Sequence, residues 1–243
     1  MKRTIRIFLL AAVLGGGSLI SAQDKSGGDE AAKKKPEGPE KWEKDMQKFV
    51  GRDKATPPPE NAVLFVGSSS IRMWKVDEAW PDLDTINNGF GGSQISDAIH
   101  HFDRCIAPYK NLKAIVIYAG DNDVNKGKDA ARVFADFQEL WAKIKKTHPG
   151  VPTIFIAIKP STKRWDQRDI QHAANMKIAA LAEKQDDLYY ADIAKPMLNA
   201  AEETGQAPPA DLFKDDGLHM SEKGYEMWHG VIDAELKKAG VGK

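Results

Sequence analysis

Two clusters in this chain hold residues whose types and spacing could do chemistry. Gly67-Ser68-Ser69-Ser70 follows the apolar run Ala62 to Val66. A serine in a tight, glycine-assisted turn projects its hydroxyl outward, and the helix start behind it offers backbone N–H donors for an anion. The same serines would also serve as a helix cap. The second cluster is Asp215-Asp216-Gly217-Leu218-His219. Asp216 and His219 stand three residues apart in one loop, so the carboxylate can orient the imidazole. An imidazole held that way is the general base that a serine hydroxyl needs. Two further turns supply donors. Gly89-Phe90-Gly91-Gly92-Ser93 lacks the spacing and the lysine of phosphate-cradling loops, but its glycines let a backbone N–H approach a substrate oxygen closely. Gly120-Asp121-Asn122-Asp123 presents an amide between two carboxylates; with no histidine nearby these make a poor metal set, so Asn122 reads as a hydrogen-bond donor. The remaining histidines, His100, His101, His148, His172 and His229, read as structural.

Hydrophobic periodicity gives the elements that must position these turns. Short apolar runs at 62–66, 114–118, 153–158 and 188–191, together with Thr85-Ile86-Asn87, read as strands, and amphipathic stretches at 93–107, 129–147, 167–186 and 221–238 as helices. In the second helix Val133, Phe137, Leu140 and Ile144 share one face. Alternating strands and helices imply crossover connections and a parallel sheet covered on both sides. The most apolar strands, around Ile115-Val116-Ile117 and Ile154-Phe155-Ile156, belong at its centre. Ligands bind such sheets beyond the carboxyl ends of the strands, which is where three of the four reactive segments lie. Lys159-Pro160-Ser161-Thr162-Lys163-Arg164-Trp165 follows the fourth strand, and Arg164 and Trp165 are expected to help shape a substrate site. Cys105, in a helical pattern with Ile99, Phe102 and Ile106, is expected to be a buried structural thiol.

Composition restricts the partners. The 243 residues carry 35 Lys+Arg and 35 Asp+Glu, and a neutral chain is not built to bind nucleic acid, which needs a basic face. A single cysteine excludes an internal disulfide and a cysteine-based structural zinc site. Lys2, Arg3 and Arg6, an apolar core at 7–13 and Ser21-Ala22 outline a secretory signal peptide over 1–22. Its removal leaves 32 basic against 35 acidic residues, net −3, and no stable membrane insertion. Residues 23–60 read as a polar spacer, too poor in apolar side chains before Trp42 to build a core, followed by a short helix with Trp42, Met46 and Phe49 on one face. Residues 61–243 form the remaining domain. The expected location is secreted or periplasmic.

Taken in order, the four segments resemble SGNH hydrolases of the GDSL esterase/lipase superfamily. Gly67-Ser68-Ser69 matches the nucleophile block with Ser69 in the nucleophile position, Gly92 the oxyanion glycine, Asn122 the oxyanion asparagine of G-x-N-D, and Asp216 with His219 the D-x-x-H block. Ser68 stands where the family usually has Asp. That departure, with Arg72 and Trp74, resembles a G-S-S-S-I-R-x-W branch similar to platelet-activating factor acetylhydrolase-like esterases. The resemblance implies an α/β, three-layer αβα flavodoxin-like fold with a central parallel sheet of about five strands. It implies a carboxylic ester hydrolase with a Ser69, His219 and Asp216 triad, an oxyanion hole of Ser69, Gly92 and Asn122, and no metal or organic cofactor. The expected substrate is a small-molecule or glycan acyl ester, short-chain or acetyl, since no long apolar lid segment is present. Acyl transfer onto sugar hydroxyls, lysophospholipase-type lipid hydrolysis and, last, non-catalytic carbohydrate binding are the alternatives.

Overall fold

A computed structural model describes residues 38–204 and 207–242. The expected signal peptide and the start of the spacer lie outside the described residues. All five expected strands form: β1 (Val63–Gly67), β2 (Thr85–Gly89), β3 (Ala114–Tyr118), β4 (Thr153–Ile156) and β5 (Leu188–Ala191). They pair in one all-parallel sheet in the order β2-β1-β3-β4-β5. The chain therefore leaves β1 toward one edge and then crosses back over it to β3. The crevice between the carboxyl ends of β1 and β3 is the switch point at which such sheets bind ligands.

The first helices are α1 (Glu43–Ala55), α2 (Ser69–Arg72), α3 (Val76–Ala79), α4 (Ile95–His100) and α5 (Phe102–Cys105). They are followed by α6 (Asp121–Asn125), α7 (Ala130–Thr147), α8 (Arg168–Ala182), α9 (Ala194–Thr204) and α10 (Glu222–Lys238). Because successive strand residues point to opposite faces, Leu64, Val66, Ile115 and Ile117 pack under α1, α4, α5, α7 and α8. Val63, Phe65, Val116 and Tyr118 pack under α2, α3, α9 and α10. The result is the three-layer αβα arrangement expected from the sequence. Trp42, Met46 and Phe49 are all buried in the first layer, so α1 is part of this core. No described helix is long and apolar enough to cross a membrane.

Three local differences from the sequence pattern have physical causes. The helix expected over 93–107 breaks at His101, whose Nε2 is held 2.9 Å from the Pro39 carbonyl and whose Nδ1 lies 2.9 Å from Arg104. Strand β4 stops at Ile156 because the Asn175 side chain takes both backbone groups of Ile158, at 2.8 Å each. Helix α9 is absent from the periodic reading, since Pro196 lies inside it; in a first turn, however, a proline loses no intrahelical bond, and the Asp192 carboxylate caps the turn through Lys195 N–H at 3.0 Å.

Candidate active site

Strand β1 ends at Gly67, where φ is +147° and a Cβ would lie 2.0 Å from the Tyr118 carbonyl oxygen. No other residue fits. Ser68 N–H donates to that carbonyl at 3.1 Å, and the chain turns out of the sheet into α2. Of the three serines, Ser68 and Ser70 are 3% and 2% exposed, whereas Ser69 is partly open to solvent. Its Oγ lies 2.9 Å from His219 Nε2. Ser69 is thus the serine that the fold brings to the imidazole.

The histidine is held by its own loop. Asp216 Oδ2 lies 2.5 Å from His219 Nδ1, and Asp216 Oδ1 accepts from the backbone N–H groups of Leu218 and His219 at 2.9 Å each. Burial works to raise the Asp216 carboxyl, but the His219 ring and these two N–H donors outweigh it and hold the group down at about 2. An ionised carboxylate only accepts, so Nδ1 carries the ring proton and Nε2 presents its lone pair to the Ser69 hydroxyl. The loop is closed by Lys214 N–H on the His219 carbonyl at 2.8 Å. Ser221 then starts α10, its Oγ accepting from Gly224 N–H at 3.1 Å.

N–H groups gather around the same cavity as Ser69. Ser69 N–H and Gly92 N–H have no acceptor among the described residues. Asn122, at the start of α6, donates through Nδ2 to the Ser93 carbonyl at 3.0 Å, and its Oδ1 accepts from both terminal nitrogens of Arg164 at 3.3 Å. Arg164 also pairs with Asp121 at 2.9 Å. Asp121 in turn meets Lys159 Nζ at 3.0 Å, and Lys159 reaches Tyr118 OH at 3.1 Å. Burial opposes both charges of the Asp121–Lys159 pair, yet Lys159 and Arg164 hold the carboxyl below its ordinary value, and Asp121 and Tyr118 hold the amine above its own. Asp123, the other carboxylate beside Asn122, accepts from Ile95 N–H and pairs with Lys128 at 2.7 Å. Both flanking acids are therefore engaged with cations. Among the described residues, no group of three metal-ligating side chains forms.

Ser69, Gly92, Asn122 and His219 line one cavity of about 350 Å³ together with Asp45, Arg72, Gly91, Arg164 and Leu218. Asp216 stands behind His219. Of the two residues expected to shape the substrate site, Arg164 lines this cavity and Trp165 does not; the Trp165 ring instead packs against the Arg168 guanidinium, 4.7 Å from its centroid. Sequence reasoning missed Asp45 and Arg72 as wall residues. Arg72 had a signal, because it follows Ser69 by three residues on one helix and so lies on the same face. The Asp121–Lys159 pair had one as well, in opposite charges just past adjacent central strands. Asp45 had none, since it reaches the cavity from the separate helix α1. The remaining histidines lie elsewhere: His148 Nε2–H donates to the Ile106 carbonyl at 3.2 Å and His229 packs on Trp80.

Comparisons with known proteins agree with this architecture. The pattern of the GDSL-like lipase/acylhydrolase family matches residues 72–227. No curated protein sequence matches the chain. Among solved structures, a candidate platelet activating factor from Streptococcus pneumonia is similar at a TM-score of 0.69 and 20% identity, over 80% of this chain and 92% of that one. A GDSL-like lipase from Bacteroides thetaiotaomicron is similar at 0.63 and 19%, over 80% and 98%. A carbohydrate esterase family 3 protein from Talaromyces cellulolyticus is similar at 0.57 and 20%, over 73% and 96%. At these identities the structural likeness speaks for the fold, and the family pattern, which spans well over half of the chain, speaks for descent. The chain belongs to the GDSL-like lipase/acylhydrolase family.

Proposed function

We propose that the protein is an exported serine esterase that removes short acyl groups, acetyl foremost, from esters of polar alcohols such as carbohydrate. The observation that carries this reading is the hydrogen-bonded series Ser69 Oγ, His219 imidazole, Asp216 carboxylate, at 2.9 and 2.5 Å. Ser69 attacks the ester carbonyl while His219 Nε2 takes its proton. Asp216 holds the tautomer and stabilises the imidazolium. Charge developing on the carbonyl oxygen is met by Ser69 N–H, Gly92 N–H and the second N–H of Asn122 Nδ2. The imidazolium then protonates the leaving alcohol, and water repeats the sequence to release the acid.

The small size of the cavity and its polar wall, with the charged Asp45, Arg72 and Arg164 beside His219, support a short acyl group on a polar alcohol over a lipid chain. Export rests on the charged and apolar start of the chain. The test is a substrate panel of acetylated glycans, p-nitrophenyl acetate and lysolipids, run with wild type and Ser69→Ala. Acetate release that disappears in Ser69→Ala supports the reading, and a preference for lysolipids overturns the substrate assignment. Ser69→Ala also removes labelling by a fluorophosphonate; label on Ser68 or Ser70 would refute the nucleophile. Weighing products with a sugar acceptor present separates hydrolysis from acyl transfer.

A further inference from the structure

The loop that carries Gly92 is tied down on one side by the sheet. Phe90 N–H donates to the Gly67 carbonyl at 2.8 Å, and Ser93 receives the Asn122 amide on its carbonyl. The peptide between Gly91 and Gly92 has no such tie within the sheet. It joins two glycines, so no Cβ restrains its rotation, and a flipped peptide would turn the Gly92 N–H away from the cavity. One group opposes that flip. Trp42 Nε1–H donates to the Gly91 carbonyl at 2.9 Å across 49 residues of sequence.

The geometry of a peptide makes this contact specific. No cis bond occurs among the described residues, and in a trans peptide the C=O and the N–H point in opposite directions. Holding the Gly91 oxygen toward Trp42 therefore aims the Gly92 N–H the other way, toward the cavity that Gly92 lines with Ser69 and Asn122. A donor on the carbonyl also polarises the peptide and strengthens its N–H as a donor. Trp42 is itself well anchored. It is 4% exposed and packs edge-on against Phe90 at 5.7 Å. Glu43, next in sequence, makes two bonds to Arg104 at 2.8 and 2.9 Å, and the Pro39 carbonyl meets His101. At the far end of α1, Arg52 reaches Asn88 and Tyr109 at 3.0 Å, and Tyr109 OH donates to Asp53 at 2.6 Å.

We infer that Trp42 is a positioning residue for the oxyanion hole, and that the segment ahead of β1 acts on the catalytic site through it. The inference rests on the reading of Gly92 as an oxyanion donor. Because that donor acts on charge that exists only in the transition state, its misalignment lowers kcat and leaves KM alone.

The experiment measures kcat and KM on p-nitrophenyl acetate, with thermal unfolding, for wild type, Trp42→Phe and a chain carrying β-(3-benzothienyl)alanine at position 42. The last keeps the bicyclic ring and its packing while sulfur replaces the N–H, so it folds even if Trp42→Phe does not. The expected result is a fall in kcat of about 10- to 100-fold at unchanged KM, smaller than the 10²–10³ of an outright lost oxyanion donor because the Gly92 N–H is displaced and not removed. The isostere's melting temperature should be lowered by no more than the few degrees that one hydrogen bond is worth. Wild-type kcat in the folded isostere, or a loss confined to KM, overturns the inference. Ser69→Ala in the same series keeps the two readings apart. If it retains turnover, the nucleophile reading and the Trp42 role fall together; if it is dead while the isostere has wild-type kcat, only the Trp42 role falls.

Discussion

Replacing Asn122 by alanine separates catalysis from stability by magnitude. In the ground state the side chain makes one good bond, Nδ2 to the Ser93 carbonyl at 3.0 Å, and two long ones from Arg164 at 3.3 Å. A net hydrogen bond contributes about 1 kcal/mol, and Arg164 keeps Asp121, so the stability loss should be about 1–2 kcal/mol. That is small beside the ~5–15 kcal/mol typical of a domain, and the variant stays folded. In the transition state the loss is larger, since removing one oxyanion donor costs about 2.7–4 kcal/mol, or 10²–10³ in kcat. The assay is kcat and KM on an acetyl ester beside urea unfolding. Asn122→Asp sharpens it: the shape and the Arg164 contact remain, but the donor is gone and a negative charge faces the developing oxyanion. It should be no more active than Asn122→Ala. A folded Asn122→Ala with wild-type kcat, or an aspartate variant clearly faster than alanine, would refute the donor role.

Asp216 stays ionised far into acid because its carboxyl sits at about 2, so the acid limb of kcat/KM above about pH 4 should have no more than a one-proton slope, with none of it contributed by Asp216. A two-proton slope above pH 4 would contradict this. The folded carboxyl lies below the value of about 3.9 for an unfolded aspartate, so its contribution to stability is in place above about pH 4 and is lost as pH falls through about 2; Asp216→Asn should remove that part of the acid dependence and lower kcat. Asp121→Asn should cost about 3–5 kcal/mol in urea unfolding, because it leaves the Lys159 charge, 1% exposed, without its carboxylate; an unchanged midpoint would show that Lys159 is neutral in the fold. Cys105 is fully buried, and burial pushes its thiol up to about 12, so a thiol reagent should label it only as fast as the whole domain unfolds. Prompt labelling of the native protein would place it outside the core.

The central strands were legible because a parallel strand covered on both faces must be continuously apolar, and Ile115-Val116-Ile117 can satisfy nothing else. The turns after them were legible because glycine and short polar residues are what a sharp exit from a sheet requires, as at Gly67. The Asp216 to His219 contact was legible because it spans three residues and needs only a local turn. Boundaries failed where a distant group intervened, with Pro39 engaging His101 at the helix break and Asn175 ending β4.

Everything else about the site waited on packing. Three adjacent serines have the same chemistry, and only the partial exposure of Ser69 and its approach to His219, 150 residues away, distinguish them. Arg164 and Trp165 are neighbours in sequence, yet one turns to Asn122 and the other to Arg168, because a side chain's direction is decided by what packs around it. Trp42 reads as one apolar face of a short helix, and nothing in its spacing foretells an indole N–H on the Gly91 carbonyl. Sequence periodicity records which residues leave water and which turns are tight; the contacts that aim donors across the cavity join elements far apart in the chain, and only the assembled three-layer sandwich determines which of their atoms meet.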